Sequence, residues 1–216
     1  MATAAPAATL SAAAARERRW ALGLDYAERA LVVLMIAWFH LRILPHVMES
    51  VCYLLILVSE GLTAAMILIR RPGETMNTAY GWTLAVAGTF GPLLIQPAGH
   101  LLLPGPVAAA IMATGLLCSI SAKIFLKRSF GIVPANRGVE REGPYRMVRH
   151  PIYLGYLVAN IGFLSVNASA WNALVYVICW MAMILRIRAE EQVLGACPDY
   201  AAYRREVRYR LLPFLW

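Results

Sequence analysis

Residues 152–187 read IYLGYLVANIGFLSVNASAWNALVYVICWMAMILRI. They contain two apolar runs, Ile152–Val166 and Ala170–Ile187, which only the short stretch from Asn167 to Ala170 separates. The runs are shorter or more interrupted than the ~20 apolar residues with which a helix crosses the ~30 Å hydrocarbon layer of a bilayer. So short a connection between apolar helices nevertheless predicts an antiparallel hairpin.

Four further apolar runs precede the hairpin, and most of them approach the length of a membrane span. The composition agrees, because 60% of the residues are hydrophobic and only 15% are charged, whereas soluble domains are less apolar and more highly charged. We therefore expect an all-α, polytopic integral membrane protein with about six transmembrane helices. The four runs are Ala27–Leu44, Val51–Ile69, Ala79–Ile95 and Pro106–Leu126.

The net charge of +8 could indicate a nucleic-acid partner, but the placement of the basic residues excludes it. Most of them lie between the apolar runs on one side of the predicted membrane, which is the pattern of cytoplasmic loops. Both termini are therefore predicted to be cytoplasmic. The basic residues of that side fall at Arg16–Arg29, Arg70–Arg71, Lys123–Arg149 and Arg186–Arg210.

The chain divides by composition into three regions. Residues 1–26 are predicted to be a disordered or juxtamembrane tail, and residues 27–122 to be transmembrane helices without a recognisable motif. Residues 123–216 hold a basic cytoplasmic loop, the hairpin and a polar C-terminal segment. The four cysteines lie far apart, and no plausible metal-binding cluster is present, so we predict no metal site.

Charged residues follow the last apolar run. Arg186 and Glu190 are four residues apart, which places them on one face of a continuing helix, and Glu191 supplies a second acid. Ionisable groups at membrane depth are costly and suggest function. A salt bridge that ends a helix at the membrane interface explains the same spacing.

A second group of polar and aromatic residues precedes the hairpin in GPYRMVRHPIYLG, residues 143–155. Pro151 suits the first turn of a helix, which places His150 near the N-cap, where free N–H groups favour electron-rich partners. Tyr145 and Tyr153 supply flat faces and hydroxyl groups. An aromatic and basic belt at the start of a membrane helix is the alternative interpretation.

The hairpin brings these two groups of residues to the same membrane face. His150, Tyr153, Arg186 and Glu190 are therefore predicted to converge on one pocket. Aromatic faces, a carboxylate pair and a histidine suit a ligand that has both a heterocyclic base and a cationic centre.

Three stretches, GPYRMVRHPIYLGY, RIRAEEQVL and PDYAAYRREVRYRLLPFLW, resemble the isoprenylcysteine carboxyl methyltransferase family and its phospholipid methyltransferase relatives. The resemblance covers residues 123–216. It implies an integral membrane enzyme that uses S-adenosyl-L-methionine as cofactor. Phe130 stands where the eukaryotic members have a glutamine, and Arg137 stands where they have a histidine.

The resemblance also implies roles for individual residues. Arg186 matches an arginine that the family uses at the substrate. Glu190 is expected near the charged end of the cofactor, and backbone of the 137–139 segment beside the adenosine. The implied cofactor-binding residues are Arg137, Gly138, Val139, Tyr145, His150, Pro151, Ile152, Tyr153, Glu190 and Glu191.

The implied reaction is methyl transfer to an amphiphilic acceptor that enters from the lipid bilayer. A carboxylate on a prenylated or similar lipid acceptor fits Arg186, because the guanidinium group can bind it in a bidentate manner. The prevalence of alanine and arginine points to a bacterial inner membrane.

Other functions remain open at this stage. Within the family, the acceptor could be the amine of a phospholipid or a small thiol or isoprenoid. A sterol-reductase-like enzyme using NADPH shares the R-H-P-x-Y turn, although Glu190 and Glu191 would repel its phosphates. A membrane scaffold or transporter would explain the spans alone. A soluble-type methyltransferase or dehydrogenase is excluded, since no G-x-G occurs in the chain.

Overall fold

The computed structural model describes residues 7–48, 50–70, 74–75, 81, 83–84, 87–88, 91–96, 99–130, 135–136 and 138–216. The chain divides into two compact units, the first ending at Arg42 and the second beginning at Ile43. Its described helices are α1 (Ala7–Ile43), α2 (Val51–Ile69), α3 (Gly105–Leu126), α4 (Pro151–Val166), α5 (Ala170–Gly195) and α6 (Pro198–Glu206).

Helix α1 makes up the described part of the first unit. Residues 7–26 are helical, in the region 1–26 that the sequence predicted to be a disordered or juxtamembrane tail. Alanine has the highest helix propensity of all residues, and arginine is close behind. Arg29 also donates to the carboxylate of Asp25, one turn earlier, at 2.7 Å. The helix ends at Ile43, where Pro45 of the following 3-10 turn prevents its continuation.

Three helices of the second unit, α2, α3 and α5, are long and apolar enough to cross a membrane. They have 19, 22 and 26 residues, against the ~20 that a bilayer requires. Helix α4 is apolar but has only 16 residues. Three of the six predicted spans are thus confirmed by length and composition. The predicted span Ala79–Ile95 is described only in part.

Helix α5 shows which kind of solvent surrounds these spans. Its buried face includes Val175, Cys179 and Met183, while large apolar side chains also cover its exposed face. A helix that is apolar all round belongs in a protein interior or a membrane. Since the outer face is uncovered, its apolar side chains suit contact with lipid. The exposed members are Leu174, Val177, Ile178, Met181 and Leu185.

Helices α3 and α4 approach each other more closely than side chains would permit. A Cβ atom added at Gly155 would lie 2.6 Å from the carbonyl oxygen of Gly115, and one added at Gly162 would lie 2.6 Å from the backbone nitrogen of Met112. A Cβ atom at Gly115 would meet the backbone of Ala159. Small residues that bring backbones together are a common basis for helix association in membranes.

The turn between α4 and α5 is held by the side chain of Asn172, which is completely buried. Its amide nitrogen donates to Gln96 O and Asn167 O, both at 2.8 Å, and its oxygen accepts from Gln96 N at 2.9 Å. Ser169 caps α5 by accepting from Asn172 N. The structure therefore confirms the predicted antiparallel hairpin and anchors its turn to residue 96.

The loop after α3 differs from the sequence prediction at its start. Lys123 was assigned to the cytoplasmic loop, but it lies in the last turn of α3 and is fully buried. Further on, Ala135–Asn136 (β2) pairs antiparallel with Glu74–Thr75 (β1). This two-residue ladder joins the loop to the segment that follows α2. The described residues are otherwise largely helical, which confirms the all-α prediction.

We expect Gly115→Ala to destabilise the protein, because the new methyl group would meet backbone atoms of α4 that cannot move independently. Overpacking of this kind lowers the free energy of unfolding by about 1–3 kcal/mol. Thermal unfolding in detergent would measure the loss. Gly105→Ala is the matched control, since a Cβ atom there meets nothing within 4 Å, and equal stability of the two variants would contradict the close packing.

Candidate active site

The segment before α4 is a 3-10 turn, Gly143–Arg146, that buries Tyr145. The turn begins at Gly143 with φ of +58°, a conformation that favours glycine. The carbonyl oxygen of Tyr145 accepts from the hydroxyl of Tyr203 at 2.7 Å, which ties the turn to α6. Burial, followed by the neighbouring Tyr203 and then Glu190, raises the pKa of Tyr145 well above its ordinary value. Tyr145 therefore stays neutral beside the acidic pair.

The C-terminal segment lies across the start of α4. The backbone N–H of Arg149 donates to Tyr209 O, and that of His150 donates to Arg210 O, both at 2.9 Å. The guanidinium of Arg149 also donates to the carbonyl oxygens of Val207 and Arg208. These hydrogen bonds fix His150 at the N-cap of α4, where the sequence predicted it.

Glu191 is the ionic centre of this region, and its side chain is only 6% exposed. Arg149 Nε donates to its Oε1 at 2.8 Å, and Arg210 Nε donates to its Oε2 at 2.7 Å. The hydroxyl of Tyr200 donates to Oε1 at 3.3 Å. One carboxylate thus joins α5 and α6 to the segments on either side of the hairpin.

Glu190 faces a different set of partners. Its Oε1 accepts from the hydroxyl of Tyr153 at 2.6 Å and from Arg186 Nε at 3.2 Å. The Arg186 guanidinium lies 5.6 Å from the centre of the Tyr153 ring. His150 Nδ1 lies 3.7 Å from Glu190 Oε2, and its ring centre is 5.8 Å from that of Tyr153. The predicted proximity of the start of α4 to the end of α5 is confirmed.

His150 carries a buried nitrogen that lacks a hydrogen bond. Its Nε2 lies 3.4 Å from Glu191 Oε1, but this geometry is not that of a hydrogen bond, and no other described group bonds to it. Leaving a buried polar atom without a partner costs about 1–3 kcal/mol. An unpaired buried nitrogen beside Tyr153 and Glu190 is the kind of group that a bound ligand satisfies.

The other predicted site residues occupy several positions. Pro151 and Ile152 are buried in the first turn of α4. Val139 is half-buried and Gly138 is exposed, both in the segment after β2. Arg137 lies outside the described residues. A separate cavity of about 340 Å³ is lined by Gly195, Ala201, Arg204 and Arg205, none of which the sequence predicted as a site residue.

Sequence reasoning missed three residues whose contacts join segments of the second unit. Arg149 and Arg210 bind the carboxylate that the sequence assigned to the cofactor, and Lys123 is buried within α3. A signal existed only for Lys123, since a lone lysine inside an apolar run is unusual. The two arginines resemble ordinary basic residues of a cytoplasmic loop.

The candidate site lies in a part of the chain that matches a known protein family. Residues 106–196 match the isoprenylcysteine carboxyl methyltransferase (ICMT) family. This part of the chain is similar to the ICMT family. The match contains the 3-10 turn Gly143–Arg146, the N-cap of α4, and helices α4 and α5. It therefore includes Tyr145, His150, Tyr153, Arg186 and Glu190.

The ICMT match differs in extent from the resemblance seen in the sequence, which covered residues 123–216. It begins earlier, at the start of α3, and ends before α6. No curated protein matches the chain. The family is one of methyltransferases, and together with the apolar helices it indicates a membrane enzyme of that class. Among the described residues, no cluster of histidine, cysteine and acidic side chains could hold a metal ion.

We expect Glu191→Gln to destabilise the protein strongly, because two arginine side chains would lose the carboxylate that compensates their charge. Removing one partner of a buried ion pair lowers the free energy of unfolding by about 3–5 kcal/mol. Chemical denaturation in detergent micelles would measure this loss in the free energy of unfolding.

The matched control for Glu191→Gln is Glu206→Gln, which breaks the exposed pair of Glu206 with Arg141. Exposed pairs contribute about 1 kcal/mol or less. If both variants lost the same stability, Glu191 would not be the centre of the region.

Proposed function

We propose that this protein is an integral membrane methyltransferase that uses S-adenosyl-L-methionine and acts on a lipid-like or prenylated carboxylate. The observation that carries the proposal is the cluster of His150, Tyr153, Arg186 and Glu190 within the segment that matches the ICMT family. We further propose that the enzyme resides in a bacterial inner membrane with both termini in the cytoplasm.

Two features of the candidate site suit the proposed cofactor, S-adenosyl-L-methionine. His150 Nε2 is a buried nitrogen without a hydrogen-bond partner among the described residues. Glu190 keeps 19% of its side chain exposed, so its carboxylate can attract a cation while its charge is only partly compensated. S-adenosylmethionine supplies a cationic sulfonium and its reactive methyl group when bound. Tyr145, His150, Tyr153 and Glu190 would hold it.

The two acids of the predicted couple take different parts in this proposal. Glu191 is bound to Arg149 and Arg210, so its negative charge is compensated within the protein. Glu190 has only Arg186 as an arginine partner in the described contacts. We therefore assign the electrostatic attraction of the cofactor to Glu190, and to Glu191 the support of the loop that presents His150.

Arg186 is proposed to bind the carboxylate of the acceptor. It is 7% exposed and lies within α5, the helix whose outer face is covered by apolar side chains. Its contact with Glu190 fixes the guanidinium, which limits the conformational freedom that acceptor binding must remove. Excluding water from this position strengthens the attraction between the guanidinium and a carboxylate. An amphiphilic acceptor can reach Arg186 from the bilayer while its apolar tail stays in lipid.

The proposal is tested first by ligand binding. The purified full chain in lipid nanodiscs is expected to be stabilised by S-adenosylhomocysteine, because a ligand that binds only the native state raises its stability. NADPH, which a sterol-reductase-like enzyme would bind, is expected to give no shift. Stabilisation by NADPH and not by S-adenosylhomocysteine would overturn the proposal in favour of the reductase, and no shift with either would favour a scaffold or transporter.

The acceptor class is tested by the chemistry of the product. Methyl-labelled S-adenosylmethionine and N-acetyl-S-farnesylcysteine, a prenylated carboxylate, are expected to give a methyl ester that releases methanol in base. Bacterial membrane lipids serve as competing acceptors in a parallel reaction. A base-stable label on a lipid amine would contradict carboxylate methylation and favour the phospholipid amine.

Substitutions separate the roles of the two charged residues. We expect Glu190→Ala to weaken the binding of S-adenosyl-L-methionine by on the order of tenfold, because a charged partner of the cationic cofactor contributes about 1.5–3 kcal/mol. Arg186→Ala should lower turnover while leaving that affinity within a few-fold of the parent. Calorimetry and the ester assay would measure the two effects, with Glu206→Gln as control. If Arg186→Ala lost affinity for the cofactor while Glu190→Ala kept it, the roles assigned to these two residues would be wrong.

A further inference from the structure

Lys123 is a cation buried inside an apolar helix, in a position that the proposed reaction does not explain. It lies in the last turn of α3 and its side chain is 0% exposed. Its Nζ donates to Ser59 O at 2.9 Å and to Ser59 Oγ at 2.8 Å. The carboxylate of Glu60 lies 3.8 Å away. Lys123 therefore joins α3 to α2 through a buried polar contact.

Stability alone does not account for a lysine at this position. Burying an ammonium group costs several kcal/mol, which hydrogen bonds and a nearby carboxylate only offset. Methionine has a similar length and packs well in irregular apolar spaces. Replacing a buried charged group and its partners by apolar residues is often neutral or stabilising. A role beyond holding α2 to α3 would explain the lysine.

Lys123 also contacts a tyrosine of α4 that packs near the candidate active site. Its Nζ lies 5.2 Å from the centre of the Tyr156 ring, on α4. Tyr156 packs against the core cluster that contains Tyr153 and Ile187. Tyr153 lies one helical turn before it, with the Arg186 guanidinium 5.6 Å from its ring. Two neighbouring tyrosines of α4 are thus each faced by a cation, one from α3 and one from α5.

We infer that Lys123 is a positioning residue of the methyl-transfer site, an inference that rests on the proposed function. The cation holds the ring of Tyr156, and the ring fixes the turn of α4 that presents the Tyr153 hydroxyl to Glu190. Lys123 in turn is held by Ser59. Helix α2, which lies outside the segment that matches the family, therefore contributes to the geometry of the site.

The inference is tested with Lys123→Met in nanodiscs. We expect kcat to fall on the order of tenfold, since small displacements of groups that orient reactants have effects of this size. The affinity for S-adenosylhomocysteine should stay within about threefold of the parent, which is less than 1 kcal/mol. The control is Lys127→Met, because Lys127 is one turn further along and its side chain is 59% exposed. Its kcat should equal that of the parent.

Three further variants keep the test decisive. Ser59→Ala combined with Lys123→Met removes the polar contact without leaving its hydroxyl unpaired, so it reports on catalysis should the single variant not fold. Tyr156→Leu should lower kcat as Lys123→Met does. The variant that combines Lys123→Met with Tyr156→Leu should lower kcat no further, because both changes remove the same contact between Lys123 and Tyr156.

Each result bears on one of the two proposals. A parent chain that transfers no methyl group contradicts the proposed function, and the inference with it. With an active parent, a Lys123→Met protein that folds and keeps the parental kcat overturns the inference alone. Additive losses in the Lys123→Met, Tyr156→Leu double variant would also overturn it, because the lysine would then act through a group other than Tyr156.

Discussion

A single buried carboxylate, that of Glu191, holds together the segments on which the candidate site depends. Removing a carboxylate from water is costly, and only close, well-directed partners offset that cost. Arg149 and Arg210 provide them at 2.8 and 2.7 Å. Because Arg149 immediately precedes the N-cap of α4 and Arg210 lies in the C-terminal segment, this one side chain sets where the start of α4 stands relative to the end of α5.

The apolar helices pack by means suited to a lipid solvent. Lipid tails are as apolar as the helices, so hydrophobicity alone gives little drive for one helix to associate with another. The second unit instead uses close backbone contact at Gly115 and Gly155, and buried hydrogen bonds of Lys123 and Asn172. Such contacts demand defined geometry. The glycines hold α3 against α4, Lys123 joins α3 to α2, and Asn172 fixes the turn of the hairpin.

Helical geometry explains how two adjacent acids come to have separate roles. Successive residues of an α-helix point about 100° apart, so Glu190 and Glu191 face different neighbours. Glu190 meets Tyr153 and Arg186, both within the apolar hairpin. Glu191 meets arginines from the segments outside it. The sequence treats the pair as one acidic couple, whereas the structure divides it into a group suited to a ligand and a group that supports the fold.

The amino-acid sequence by itself determined the apolar helices, the hairpin and the meeting of Tyr153 with Glu190. Each follows from local rules, because helical periodicity and a short connection leave few arrangements for the hairpin. The three motif stretches at the ends of the hairpin and in the C-terminal segment likewise sufficed to indicate the ICMT family. The partners of Glu191 and the burial of Lys123 were decided only by the tertiary structure. They depend on contacts between residues 42 and 64 positions apart in the chain, and the packing of whole helices, which no local pattern encodes, selects those contacts.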